Sequence, residues 1–115
     1  MDSILQSIKK ELGPGAEHTY FDDEIIMEIN SALSDLASLG VGPEEGFYIE
    51  DDSATWEEFI GDFPKPNLLN NVKRYVYLSV KLIFDPPANA SVLKSYENAL
   101  AKLEWKLNHT VETEA

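Results

Sequence analysis

A chain of 115 residues, 43% of them hydrophobic, is long enough for one domain with its own core and too apolar for a disordered acidic tail. It carries no cysteine, which excludes disulfides and thiolate metal sites and suits a reducing cytosol. A net charge of −12 argues against wrapping nucleic acid, whose phosphates demand Lys and Arg.

The charge is unevenly placed. Residues 1–62 hold 16 acids and 2 bases, a net of −14; residues 63–115 hold 5 acids and 7 bases, a net of +2. One reading is ordinary solubility charge clustered by chance. The sharper reading is a head-to-tail contact, in which the acidic surface of one subunit meets the basic surface of the next. The residues Met1 to Gly15 do not read as a secretory signal, because Asp2 stands where a basic region belongs and no long apolar run follows. No apolar stretch approaches the roughly 20 residues of a membrane helix.

In chain order, Ile4, Leu5, Ile8 and Leu12 make one buried face of a first helix over about 3–12, stopped by Gly13-Pro14-Gly15. A second helix opens at Asp22 as N-cap, with Phe21 and Ile26 as a hydrophobic staple and Asp23 and Glu24 in the first turn, where the dipole favours anions. Its face reads Ile25/Ile26, Ile29, Leu33, Leu36 and Leu39, and it ends at Gly40 as the C′ residue with Pro43 beyond.

From Val41 to Pro66 the pattern weakens. Phe47-Tyr48-Ile49 is a candidate short extended segment, and Ser53 or Asp52 caps a short helix over 54–60 that turns Trp56, Phe59 and Ile60 to the core. Gly61, Pro64 and Pro66 end it. Such a polar loop carrying aromatics is either a contact surface or an ordinary connection pinned by its aromatics.

Residues 67–85 are rich in Val, Tyr, Ile and Phe, but an uninterrupted run of this length is far beyond the usual strand of about six. As a helix the segment is apolar nearly all round, with Leu69, Val72, Val76, Val80 and Ile83 on one side and Leu68, Tyr75, Leu78 and Leu82 on others; several neighbours must cover it. Lys73, Arg74, Tyr77 and Lys81 fall within an arc of about 100° and make one narrow basic strip. It is either the solvated edge of a core helix or a receiver for an acidic neighbour. The candidate acidic counter-surface is Asp22, Asp23, Glu24, Glu28, Glu50, Asp51 and Asp52. After Asp85-Pro86-Pro87, Leu93, Tyr96, Leu100, Leu103 and Leu107 form an a/d seam that packs a last helix on its neighbour. Residues 1–109 form the domain, and Thr110 to Ala115 are expected as a loose tail. The fold class is all-α: a compact bundle of about four main helices plus one short helix.

The chain shows no pattern for catalysis. His18 and His109 lie near opposite ends and belong to no HExxH or HxH motif. The acids Glu50-Asp51-Asp52 and Glu57-Glu58 lack the ligand alternation, glycine and closing Glu of an EF-hand loop. Gly13-Pro14-Gly15 lacks the lysine of a phosphate loop, and no nucleophile elbow occurs. The N-x-[ST] matches at Asn89 and Asn108 read as helix-end chemistry. No enzyme and no cofactor are expected.

Three segments carry a resemblance: Tyr75-Val76-Tyr77-Leu78, Leu82-Ile83-Phe84-Asp85-Pro86-Pro87 and Leu103-Glu104-Trp105-Lys106-Leu107-Asn108. With looser agreement through the Asp22–Leu39 helix and Thr55-Trp56-Glu57-Glu58-Phe59-Ile60, the chain resembles the head–tail connector (adaptor) proteins of tailed bacteriophages of Gram-positive hosts. The resemblance implies a structural subunit that forms a ring of its own copies beneath the portal protein, with a dodecamer as one stoichiometry. It also implies that the ring extends the DNA channel, lets DNA pass without specific binding, and docks a stopper or tail-completion protein. Its place would be the virion, at the head–tail interface, after assembly in the host cytoplasm and away from any membrane. By position, loop 41–62 is the candidate for tail-side contacts, and Trp105, Leu107 and Val111 are the candidates for portal docking. The alternative is an acidic phage-encoded binding protein, a DNA mimic or inhibitor of a host protein.

Overall fold

The computed structural model describes residues 3–13, 19–43, 45–61 and 66–114, with side chains described within 3–13, 19–43, 45–61 and 68–109. Its α-helices are α1 (Ile4–Leu12), α2 (Asp22–Ser38), α3 (Trp56–Ile60), α4 (Pro66–Phe84) and α5 (Ala90–Glu114), with a 3-10 turn at Thr19–Phe21 before α2. The all-α expectation holds. Among the described residues the only pairing of β type is a single bridge between Ser3 and Thr55.

The helix ends follow from local chemistry. Ser3 caps α1 by accepting from the Gln6 backbone N–H. At the end of α2, Gly40 takes φ +88°, its N–H donates to Ala37 O, and the Val41 N–H donates to Leu36 O. This is the Schellman pattern, and it brings buried Val41 over buried Leu36. Thr55 caps α3 in a reciprocal capping box with Glu58, so neither Ser53 nor Asp52 is the cap. Pro66 occupies the first position of α4, where its missing N–H costs nothing; it starts that helix rather than ending α3. Pro64 lies outside the described residues. Asn89 caps α5, its Oδ1 accepting from the N–H groups of Ser91 and Val92 at 2.8 and 3.3 Å.

α4 is the central helix, packed by α2, α5 and α1. Val72, Tyr75, Val76, Leu78 and Val80 are buried along it, together with Ile25, Ile29, Leu33 and Leu36 of α2, Ile4, Leu5 and Ile8 of α1, and Leu103 and Leu107 of α5. Ile83 departs from the expectation: it is 65% exposed, because it lies in the last turn.

Other expectations need correction. Asp22 is the first residue of α2, not its cap; Phe21 stands at the cap without a side-chain bond. The staple expected of Phe21 needs it one position earlier. Its ring instead meets Tyr20 and Phe84 edge-on, at centroid distances of 4.9 and 5.5 Å. Among the described residues Phe47-Tyr48-Ile49, expected only as a short extended segment, pairs with no strand. The Asn30 side chain serves in place of one, accepting from the Ile49 N–H at 2.7 Å and donating to Ile49 O at 3.0 Å. Finally, α5 stays helical to Glu114, through the residues expected as a loose tail.

The loop after α2 depends on glycine at one close approach. Gly42 has φ +98°, and a Cβ there would lie 2.5 Å from Phe59 Cε1; Gly46, at φ +91°, has open space around it. Gly42→Ala should therefore add overpacking of about 1–3 kcal/mol to a left-handed backbone penalty of about 1–2 kcal/mol. Gly46→Ala should show the backbone penalty alone. Urea denaturation followed by circular dichroism checks the order; equal losses would refute the contact.

Candidate functional site

Three of the four strip residues share one place. Lys73, Arg74 and Tyr77 line a groove of about 360 Å³ together with Leu78, Glu11 of α1 and Tyr96 of α5. Position on α4 explains this, since residues 73, 74 and 77 fall within one arc of that helix. Lys73 Nζ stands 6.0 Å from the Trp56 ring centroid, within reach of a cation–π contact. Trp56 itself is fixed: it is buried, and its Nε1–H donates to Ser7 Oγ at 2.8 Å. Arg74 is exposed and Tyr77 half-buried. Burial, ahead of the neighbouring charges, raises the Tyr77 hydroxyl above its ordinary pKa. Lys81 lies one turn on, bonded to Asp85 at 2.8 Å; that bond is the main cause holding its ammonium above its ordinary pKa.

The seven candidate acids include residues at both ends of α1. Asp22 reaches the last turn of that helix, where Lys9 Nζ lies 2.7 Å from its Oδ1, with the Lys9 side chain 4% and the Asp22 side chain 23% exposed. Asp22 is thus an internal ion-pair partner: its carboxylate offsets the charge of a buried ammonium that apolar surroundings would otherwise penalise, although the angle at Oδ1 is not that of a hydrogen bond. Asp23 and Glu24 remain exposed in the same turn, and Glu28 is half-buried. Glu50, Asp51 and Asp52 lie at the other end, all exposed, with Asp52 Oδ2 accepting from Gln6 Nε2 at 3.2 Å. The Asp51 carboxylate accepts from the hydroxyl and then the N–H of Ser53, which holds its pKa below the ordinary value.

The loop 41–62 contributes a second groove, of about 300 Å³, between the turn after α2 and the end of α3; Val41, Pro43, Glu58 and Phe59 are among its walls.

On α5 the docking candidates separate. Trp105 is 67% exposed and stacks on the His109 ring at 5.1 Å, nearly parallel at 5°. Leu107 is wholly buried, so it holds α5 to the bundle and presents no surface in this subunit. The side chain of Val111 lies outside the described residues, as does His18. The buried Tyr75 hydroxyl donates to Glu104 Oε1 at 3.3 Å, a further tie between α4 and α5; burial first, then Glu104, raises its pKa. Sequence reading missed Glu11, Leu78 and Tyr96 as groove residues, since three helices bring them together. Tyr96 carried a signal, a polar-tipped residue in an otherwise leucine seam.

Among the described residues no group of three or more His, Asp or Glu is placed to hold a metal ion, and no helix is long and apolar enough to cross a membrane. The fold and its charged faces define a small helical subunit whose recognisable chemistry is that of protein contact. The whole of α1 to α5 matches the family model of the phage connector proteins, over residues 4–114, and the chain belongs to that family. It is a structural component of a phage virion, which assembles with other head or tail proteins. No curated protein and no solved structure matches it.

Neighbouring residues on α5 should differ in what they support. Leu107→Ala should cost about 2–5 kcal/mol of folding stability, as cavity-forming core truncations do. Trp105→Ala, on the surface, should stay within about 0.5 kcal/mol. Parallel thermal and denaturant unfolding measures both; a large loss at Trp105 would show that its ring supports the fold.

Proposed function

We propose that the protein is a head–tail connector subunit that forms a ring under the portal, extends the DNA channel and docks the next stopper or tail component. The observation that carries this reading is the family match over residues 4–114. Two features of the molecule support it. Charge is polarised between a basic groove and separate acidic segments, which gives two complementary patches for a heterologous contact that closes by rotation. The exposed Trp105–His109 pair offers an aromatic anchor of the kind that dominates protein interfaces, and suits portal docking. The groove of loop 41–62, walled by Val41, Pro43, Glu58 and Phe59, is then the tail-side surface. DNA passes without specific binding because a subunit of net charge −12 presents little to neutralise phosphate.

The direct test is assembly of the purified protein, alone and with the portal from the same phage, followed by light scattering and electron microscopy. Rings, or subunits bound to the portal, are expected. A protein that stays monomeric at high concentration and ignores the portal would sink the reading. Reversing Lys73, Arg74 and Lys81 to Glu should abolish assembly while changing folding stability by no more than about 1–2 kcal/mol, since these are partly solvated charges. Loss of the helical circular dichroism signal in that variant would mark them as structural instead.

A further inference from the structure

We infer that the groove between α1, α4 and α5 is the seat for the Tyr48–Asp52 segment of a neighbouring copy of this chain. The inference rests on the ring reading above and names the contact that would join one subunit to the next.

The segment is built as a projecting, rigid acidic finger. Tyr48 is 67% exposed although it lies between half-buried Phe47 and buried Ile49. Glu50, Asp51 and Asp52 follow it, all exposed. The segment is held at three points: Asn30 takes both the backbone N–H and the carbonyl of Ile49, the Gln6 side chain binds the Asp52 carboxylate, and the Asp51 carboxylate closes on the Ser53 N–H. A segment already fixed loses little conformational freedom on docking, which is the main cost of loop-mediated contacts. Among the described residues, the Tyr48 ring is not part of the hydrophobic core.

The groove matches it in charge, size and polarity. Arg74, exposed at the rim, offers a planar donor fork suited to a carboxylate, and Lys73 stands beside it. Tyr77, Leu78 and Tyr96 supply an apolar and aromatic wall. At about 360 Å³ the groove is near the small end of ligand-sized pockets, enough for a side chain or two but not for a packed helix. Glu11 adds one opposing charge at the α1 side, which sets the direction in which an acidic segment can lie. The finger and the groove share no residue, so each copy can give one and receive the other, the condition for a heterologous chain of contacts that closes into a ring.

The chain has no cysteine, which allows a clean cross-linking test. In a variant carrying both Tyr48→Cys and Glu11→Cys, a short thiol-reactive cross-linker should join assembled copies into a ladder ending in a closed ring. Either single variant should give at most pairs. Arg74→Glu should raise the concentration needed for half-assembly at least about tenfold, since like charges across a contact are strongly disfavoured. Glu50→Lys with Asp51→Lys should recover most of that loss when added to it. Circular dichroism confirms that each variant is folded. Assemblies that form normally with Arg74→Glu and give no ladder would overturn the groove contact and leave the ring reading standing. A wild-type protein that assembles under no condition, with or without portal, would remove both.

Discussion

The constraint on which the rest of this structure depends is the coverage of α4. A helix apolar around most of its circumference cannot face water on those sides, so α1, α2 and α5 must all be recruited to it. What they leave uncovered is where α4 can keep its charges. Lys73, Arg74 and Tyr77 are therefore placed by the same packing that buries Val72, Val76 and Val80. The basic groove is a consequence of how the core is closed, and α1 and α5 contribute Glu11 and Tyr96 because they form its banks.

The acidic part of the chain is organised around α1 in a comparable way. Its last turn holds Lys9, whose buried ammonium draws Asp22 inward. The pair also suits both helix dipoles, with a cation at the C-terminal end of α1 and an anion at the N-terminal end of α2. Its first turn, through Gln6 and the Ser3–Thr55 bridge, anchors the segment that carries Glu50 to Asp52. Composition counts all these acids alike, but the fold spends Asp22 internally and leaves the loop acids facing outward.

Much of this was legible in the sequence, and most of the failures share one cause. The faces of α1 and α2, the Gly40 terminator and the central place of α4 depend on spacing within one segment, and each follows from periodicity or a local cap. The capping box at Thr55 and Glu58 was also local, and its T-x-x-E signal stood in the sequence, obscured by the neighbouring cap formers Asp52 and Ser53. Other features depend on partners distant along the chain. Asp22 is a good N-cap residue in isolation, and only the position of Lys9 decides that its carboxylate turns elsewhere. Asn30 looks like a polar residue on a helix, yet it replaces a β-strand for Ile49, nineteen residues away. The strip on α4 was visible as an arc on one helix, whereas its character as a groove needed three helices at once.

Polarised charge has a further consequence for any assembly of this chain. Pairing an acidic finger with a basic groove removes charge from the contact but leaves the sum per subunit at −12, however many copies join. The bases are the scarce partner, at 9 against 21 acids, so interfaces consume them first. The surface left facing solvent is then more uniformly acidic than that of the free subunit. For a subunit of the proposed ring around the DNA channel this is useful chemistry. Contacts between proteins are strengthened by the same residues whose withdrawal leaves little to bind a phosphate backbone. In the proposed ring, lopsided charge thus serves two ends that a uniformly acidic chain would set against each other, cohesion between subunits and indifference to nucleic acid.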